Sequence, residues 1–593
     1  MTAAPSSLAT RRSLLGALAA AAGLAPTGAL ALRRPGKPPL RDAALTDAAA
    51  AIPTPPALVR WLQKASFGYT QAEYTRLLSL GGSDDARWQA WVTEQLNPGA
   101  IGDSACDSRL ASAAYLTLGK SLTQLWSDHH ADTTNYYNRM LPVAESECAT
   151  LLRATYSKRQ LYEVLVDFWH DHFSVMGWDY NGGPVFVHYD RDVIRPNVLG
   201  NFRSFLEAVA KSTTMLYFLN NSSNTAGQPN ENYARELFEL HGLGAENYYG
   251  LLHQNQVPAD PGNPAIPAGY CDDDVYEAAR AFTGWTVKDG HWPYTSDNDG
   301  TYIYRSGDHD AGIKNVLGVH MYYNQPNELD GKQVLDAIAS HPGCARFIAR
   351  KLCRRFVVDE PSSTLVDTIA NLFQSTWQAS DQLRQVTQAI LLSTEFKQSW
   401  GGKMKRPANA FVSALRGLGA DFTPRPDNTT TYTPTEELLG RTQAAGHRLF
   451  YWPAPNGYPD RLQAWSSSGA LGMTWRLLSR LPEVHQDDAY NGSKPLLIDV
   501  LGQTTAAVGT QATASAIVGY WCDRLLGPGF RPEPTYSTVV AFMQQNAAAA
   551  EALDLSKDEW HGGTTPDLKR HYTQQRLRTA VGLLMLSPDF LRR

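Results

Sequence analysis

Cysteine is scarce in this sequence: six in 593 residues (Cys106, Cys148, Cys271, Cys344, Cys353 and Cys522), with no Cys-x-x-Cys pair among them. That spacing argues against a zinc ribbon. Up to three disulfides are open to these residues in an oxidising compartment, although Cys344 and Cys353 fall on an apolar, helical-looking stretch that suits buried thiols equally well. A basic excess is also missing. Lys+Arg number 53 against 58 Asp+Glu, a net charge of -5, so no overall field is available to hold a phosphate backbone and nucleic acid is not expected as a partner. Downstream of the N-terminus no apolar run is long enough to span a bilayer. There is no G-x-S-x-G elbow, P-loop, dinucleotide fingerprint or H-E-x-x-H motif, which disfavours serine hydrolases of that type, nucleotide-dependent enzymes and zincins. Internal repeats are absent, and the only biased tract is Ala-rich Ala547 to Ala552, read as helix.

What is present begins with an export signal. Thr10-Arg11-Arg12-Ser13-Leu14-Leu15 leads into an apolar run ending at Ala25, and Ala29-Leu30-Ala31 offers a small-x-small cleavage site. The run is short of the roughly 20 residues that cross a membrane, so it reads as a cleaved twin-arginine signal over residues 1–31 rather than an anchor. The expected location is periplasmic or secreted. A Pro- and Arg-bearing linker follows over 32–56. From 57 to 593 the pattern is that of a single, mainly α body, with 43% hydrophobic and 19% charged residues. Apolar residues recur at three- and four-residue spacing in Ala57–Ser66, Gln71–Leu80, Trp88–Leu96, Phe202–Ala210, Val275–Trp285, Val334–Val357 and Leu365–Leu392. The stripe Leu161, Val164, Leu165, Phe168, Trp169 and His172 is the clearest. Residues 250–327, rich in Pro, Gly, Tyr and Asp, read as an irregular insertion with a small β-hairpin. The stretch from Tyr451 to Asp460 reads as an ordered aromatic loop.

Several of these segments together resemble one family, the bacterial proteins catalogued as domain of unknown function 1800. They are Trp61-Leu62-Gln63-Lys64-Ala65-Ser66-Phe67-Gly68, the Phe168-Trp169-His170-Asp171-His172-Phe173 box, Arg195-Pro196-Asn197-Val198-Leu199-Gly200-Asn201-Phe202, Asn230-Glu231-Asn232-Tyr233-Ala234-Arg235-Glu236-Leu237, Ala279-Arg280-Ala281-Phe282-Thr283-Gly284-Trp285 and Pro455-Asn456-Gly457-Tyr458-Pro459. The resemblance implies export and a helical body built on one core, and no particular reaction. Relatives often show Asn between the two histidines, where this chain has Asp171.

The densest group of reactive side chains runs from Asn230 to Gly242. On a helix, Tyr233, Leu237 and Leu240 form the apolar stripe, Glu236 lies on its border and Glu231 stands one turn before Arg235. Partial burial raises a carboxyl pKa and suits Glu236 to proton transfer. The alternative is that Glu231, Arg235, Glu236 and Glu239 form a salt-bridged face. With Asp274 as a further carboxylate, Glu236, Glu231 and Glu239 are the candidate catalytic groups for glycosidic cleavage, and Trp169, Asn232, Tyr233, Arg235 and Trp285 the candidate substrate contacts. Exposed rings stack well on sugar faces. A divalent metal is the possible cofactor of a second reading, a metal-dependent hydrolase or oxidoreductase built on His170, His172 and His241. Histidines two apart on a helix point about 200° from one another, so shared ligation requires the helix to end there. The leading expectation is a secreted carbohydrate-active enzyme, a glycoside hydrolase or transglycosylase; the third reading is a non-enzymatic exported assembly or binding protein.

Overall fold

In the computed structural model the described residues are 52–426, 433–486, 494–545, 547–558 and 571–593. The signal read over 1–31 and almost all of the linker read over 32–56 lie outside them. The stripe from Leu161 to His172 forms the helix Gln160–His172, and all six of its residues are buried. Trp169 lies among Phe168, His172, Phe173, Phe202 and Phe205 with ring centroids 5.0 to 5.9 Å away, and this aromatic knot anchors the helix in the core.

Helices Ala57–Ala65, Gln71–Leu78 and Phe202–Ala210 follow the expected spacing. The stretch 334–357 contains a break. Pro342 has no N–H and opens a second helix, Pro342–Phe356, behind Leu329–Ser340, while the His341 ring accepts from the Gly343 N–H at 2.9 Å. The stretch 365–392 likewise divides into Ser363–Ser375 and Gln382–Leu392.

The insertion is more regular than its composition implies. Helix Asp272–Ala281 lies within it, followed by two antiparallel hairpins: β1 (Trp285–Asp289) with β2 (Asn298–Tyr304), and β3 (Lys314–Val316) with β4 (Val319–Met321). Trp285, which periodicity continues as helix, instead opens β1. Gly284 turns the chain out of the helix at φ +80°, and a Cβ there would come within 2.5 Å of the Arg305 carbonyl oxygen. A third small pair joins β5 (Gln511–Thr513) to β6 (Ala552–Asp554). Hence the tract Ala547–Ala552 read as helix is not one: 547–551 are turn and irregular backbone and Ala552 opens β6, because pairing with a distant segment outweighs the helical preference of alanine.

One large buried apolar cluster runs from Leu58 to Leu591, with a small satellite around Cys106, Ala113 and Leu152. Residues Pro53–Arg593 form one compact unit. All six cysteines are buried and free, so the disulfides open to them are not formed. No helix among the described residues is long and apolar enough to cross a membrane.

Candidate functional site

Two helices and a loop meet around a cavity of about 230 Å³. The last turn of helix Gln160–His172 contributes Phe168, Asp171 and His172, and the last turns of helix Pro342–Phe356 contribute Lys351, Arg354 and Arg355. Each trio has the i, i+3, i+4 spacing that places side chains on one helical face. Arg406, at the N-terminal edge of helix Pro407–Leu418, and the loop residues Asn456, Tyr458, Pro459, Asp460 and Arg461 complete the wall. The loop is held from behind. The Trp452 indole N–H donates to Asn456 Oδ1 at 2.7 Å, and the Tyr458 hydroxyl donates to the Arg448 carbonyl at 2.6 Å. Thus the His-Asp-His box and the Pro-Asn-Gly-Tyr-Pro segment, about 280 residues apart in the chain, front the same hollow.

His172 is fixed in one protonation state. Its Nε2 lies 3.1 Å from the His241 carbonyl, which can only accept, so Nε2 carries the proton; Nδ1, 2.9 Å from the Lys351 ammonium, accepts. Burial drives the His172 ring far below its ordinary pKa, with Lys351 and His241 adding to the effect. Lys351 is itself lowered to about 8 by burial. The two carboxyls of the cavity diverge. Burial raises Asp171 to about 6, with Arg406 opposing and Asp167 reinforcing the shift. For Asp460, burial also pulls upward, but Lys403, Arg593, Arg406 and Arg355 outweigh it and hold the group well below the usual carboxylate range.

Most charges here are paired. Arg406 grips Asp167 at 2.6 Å and also Asp171. Lys403 binds Asp359 at 2.6 Å and Asp460 at 3.2 Å, and Arg593 reaches Asp460 at 3.3 Å. Arg461 and Arg354 share Glu360 at 2.5 and 3.8 Å.

The acidic candidates from Asn230 onward lie elsewhere. Arg235 bridges Glu231 at 3.0 Å and Asp272 at 3.1 Å, so the Glu231–Arg235 part of the salt-bridged face is present, with Asp272 rather than Glu236 or Glu239 as the second carboxylate. Glu236 has the partial burial that its border position implies, and burial with the neighbouring Glu239 raises its carboxyl to about 7; neither it nor Glu239 lines the cavity. Asp274 is 1% exposed. It accepts from the Cys271 and Leu317 backbone N–H groups at 3.0 and 2.8 Å and from Gln254 at 2.8 Å, tying its helix to the second hairpin. Asn232 donates to the Leu219 carbonyl. Trp169, Tyr233 and Trp285 are buried in the core, where an apolar environment takes their rings and no face is left for a ligand.

The histidines named together for a metal diverge as well. Helix Gln160–His172 does end at the box, yet His170 turns to Asp190 at 2.9 Å and His172 to Lys351 and His241. Asp190 is in turn bound by Arg195 at 2.8 Å. The His241 ring is buried and its Nε2 has no hydrogen-bond partner among the described residues. Among the described residues no three His, Cys, Asp or Glu side chains are grouped to hold a metal ion.

Sequence reasoning missed Lys351, Arg355, Arg406 and Asp460. The available signal was the run of basic residues along helix Pro342–Phe356, which includes Lys351 and Arg355 at i, i+4.

No curated protein and no solved structure matches this chain. The family model described as "Protein of unknown function (DUF1800)" matches residues 60–592. With nearly all of the described body inside that match, the chain belongs to the DUF1800 family.

Proposed function

We propose that the protein is a secreted carbohydrate-active enzyme whose active site is the cavity between the His-Asp-His box and the Pro-Asn-Gly-Tyr-Pro loop. The observation that carries this reading is the divergence of Asp171 and Asp460: two carboxyls on one hollow, one raised to about 6 and the other held far down. Opposed shifts of this kind separate a proton donor from a group that stays ionised. In glycosidic cleavage Asp171 donates its proton to the leaving oxygen as the C–O bond breaks, water then adds its hydroxyl to the anomeric carbon and returns its other proton to Asp171, and the charged Asp460 stabilises the positive charge that builds at that carbon. Asn456 and Tyr458 form the rim against which a sugar ring is positioned.

The test is release of reducing ends from a panel of neutral and acidic polysaccharides by the full chain, its Asp171→Asn variant and its Asp460→Asn variant. Asp171→Asn is expected to lower the rate on the cleaved polymer by about 100-fold or more, the usual scale of a lost proton donor. A folded Asp171→Asn protein with the wild-type rate overturns the assignment.

A further inference from the structure

The ion pairs around the cavity leave Lys351 without a close carboxylate among the described residues and Arg355 with only a long one. Arg406 is neutralised by Asp167, Lys403 and Arg593 by Asp359 and Asp460, and Arg354 with Arg461 by Glu360. Among the described residues Lys351 has a histidine nitrogen as its only hydrogen-bond partner and no carboxylate in ion-pair distance. Arg355 is 2% exposed and reaches Asp167 only at 4.0 Å through Nη2, while its Nε and Nη1 are buried with no acceptor among the described residues. These two residues stand four apart in helix Pro342–Phe356, on the face that lines the hollow.

An unneutralised buried cation is costly, and a guanidinium with two unused N–H donors more so, because each donor forfeits its hydration without a replacement. The strain shows in the groups themselves. Lys351 is pushed down to about 8 and Arg355 to about 9, in both cases by burial, which Arg593 aggravates at Arg355 and which the more distant carboxylates, Asp171 and Asp460 at Lys351 and Asp460 and Asp167 at Arg355, offset only in part. A fold that served only to knit helices together would be more stable with an apolar pair at these positions. Lysine as a compact point charge and arginine as a planar fork are the two side chains that proteins use to hold oxyanions.

We propose that Lys351 and Arg355 hold an oxyanion of the substrate, so that the sugar processed in the neighbouring cavity carries a carboxylate, a sulfate ester or a phosphate ester. This rests on the placement of the active site given above and names its substrate class. The anion sits between the Arg355 fork and the Lys351 ammonium, and Lys351 then shares its donors between the ligand and His172. Loop residues from Asn456 to Arg461 close over the far side.

The test separates binding from cleavage. The full chain is titrated calorimetrically, and melted, with sodium sulfate, sodium phosphate and sodium glucuronate, against sodium chloride at matched ionic strength. At least one of the three is expected to bind and to raise the melting temperature above the chloride control, and the one that binds identifies the ester or the uronate. Lys351→Met is expected to weaken that binding about tenfold, the scale of one charge-assisted hydrogen bond. Arg355→Lys, which keeps the charge and removes the fork, is expected to weaken it comparably while retaining the fold. Absence of binding by all three anions overturns the proposal, as does binding that neither variant changes. Anion binding without cleavage of any polymer would sink the hydrolase reading alone; cleavage of neutral polymers without anion binding would sink this one alone.

Discussion

Gly457 and Asp171 are packed backbone to backbone: a Cβ on Gly457 would come within 2.0 Å of the Asp171 carbonyl oxygen, and the glycine has φ +69°. Neither the space nor the dihedral admits a larger residue. The close approach is what seats the Asn456–Arg461 loop on the end of the Gln160–His172 helix and so defines the cavity. Gly457→Ala is expected to cost about 2–4 kcal/mol of stability through the backbone clash and the left-handed strain, and to reduce anion binding more than a core substitution of equal cost. Urea unfolding beside sulfate titration measures both. A variant with full stability and full binding would show that the contact is incidental.

The raised Asp171 carboxyl gives pH a defined sign. Its folded value is near 6, above that of an unfolded aspartate, so between about pH 4 and 6 the folded chain keeps a proton that the unfolded chain has released, and stability falls as pH rises through that window. Cleavage needs the protonated form. The rate is therefore expected to drop above about pH 6, approaching tenfold per unit, and the pH-rate profile of Asp171→Asn to lose that limb. A wild-type rate still climbing from pH 6 to 8 would remove Asp171 as the donor.

Much of the architecture could be read from spacing alone. The stripe ending at His172 required a buried helix, and the border position of Glu236 a half-buried carboxyl; both follow from 3.6-residue geometry, whereas the choice between a raised carboxyl and one held ionised by a cation or metal does not. Periodicity was silent on which helix ends face one another. A lysine or arginine on a helix reads by default as solvated, so the half-burial of Lys351 and the burial of Arg355 become visible only once the loop around Asp460 is packed over them. The same limit explains Trp285. Its apolar spacing fits helix, but the helix ends at Ala281, and the positive φ of Gly284 that turns the chain into β1 is a property of tertiary approach to Arg305.

Glu236 separates the two ways of placing the chemistry. Its carboxyl is raised to about 7 by burial and by Glu239, so ionising it at higher pH costs stability. Glu236→Gln removes that cost. The variant is expected to gain up to about 1 kcal/mol over wild type above pH 7, after allowance for solvent screening, and to gain nothing below about pH 4.5, where both proteins are neutral at this position. Cleavage and anion binding are expected to stay at wild-type levels, since Glu236 does not line the cavity. Thermal unfolding at pH 4.5 and 8 checks the first part, and loss of cleavage with an intact fold would return the site to the Glu236 helix.

Lys64 tests whether family motifs outside the cavity are architectural. It is 1% exposed, and its ammonium donates to the Phe396 carbonyl and to the Ser399 carbonyl and hydroxyl at 2.9 and 3.0 Å, while lying 4.1 Å from the Phe396 ring centroid. These carbonyls stand at the C-terminal end of helix Thr394–Gln398, where main-chain acceptors have no intrahelical donor. Burial, with Arg60 adding to it, lowers Lys64 to about 7. Because the unfolded lysine keeps its proton to about pH 10, wild-type stability rises between about pH 7 and 10 from this residue. Lys64→Met forfeits the capping bonds and is expected to lose about 1–3 kcal/mol, with the gap to wild type wider at pH 9 than at pH 6. Sulfate binding and polysaccharide cleavage should persist in the folded variant. If they vanish while urea unfolding shows an intact fold, the Trp61–Gly68 segment acts on the cavity and is more than a brace.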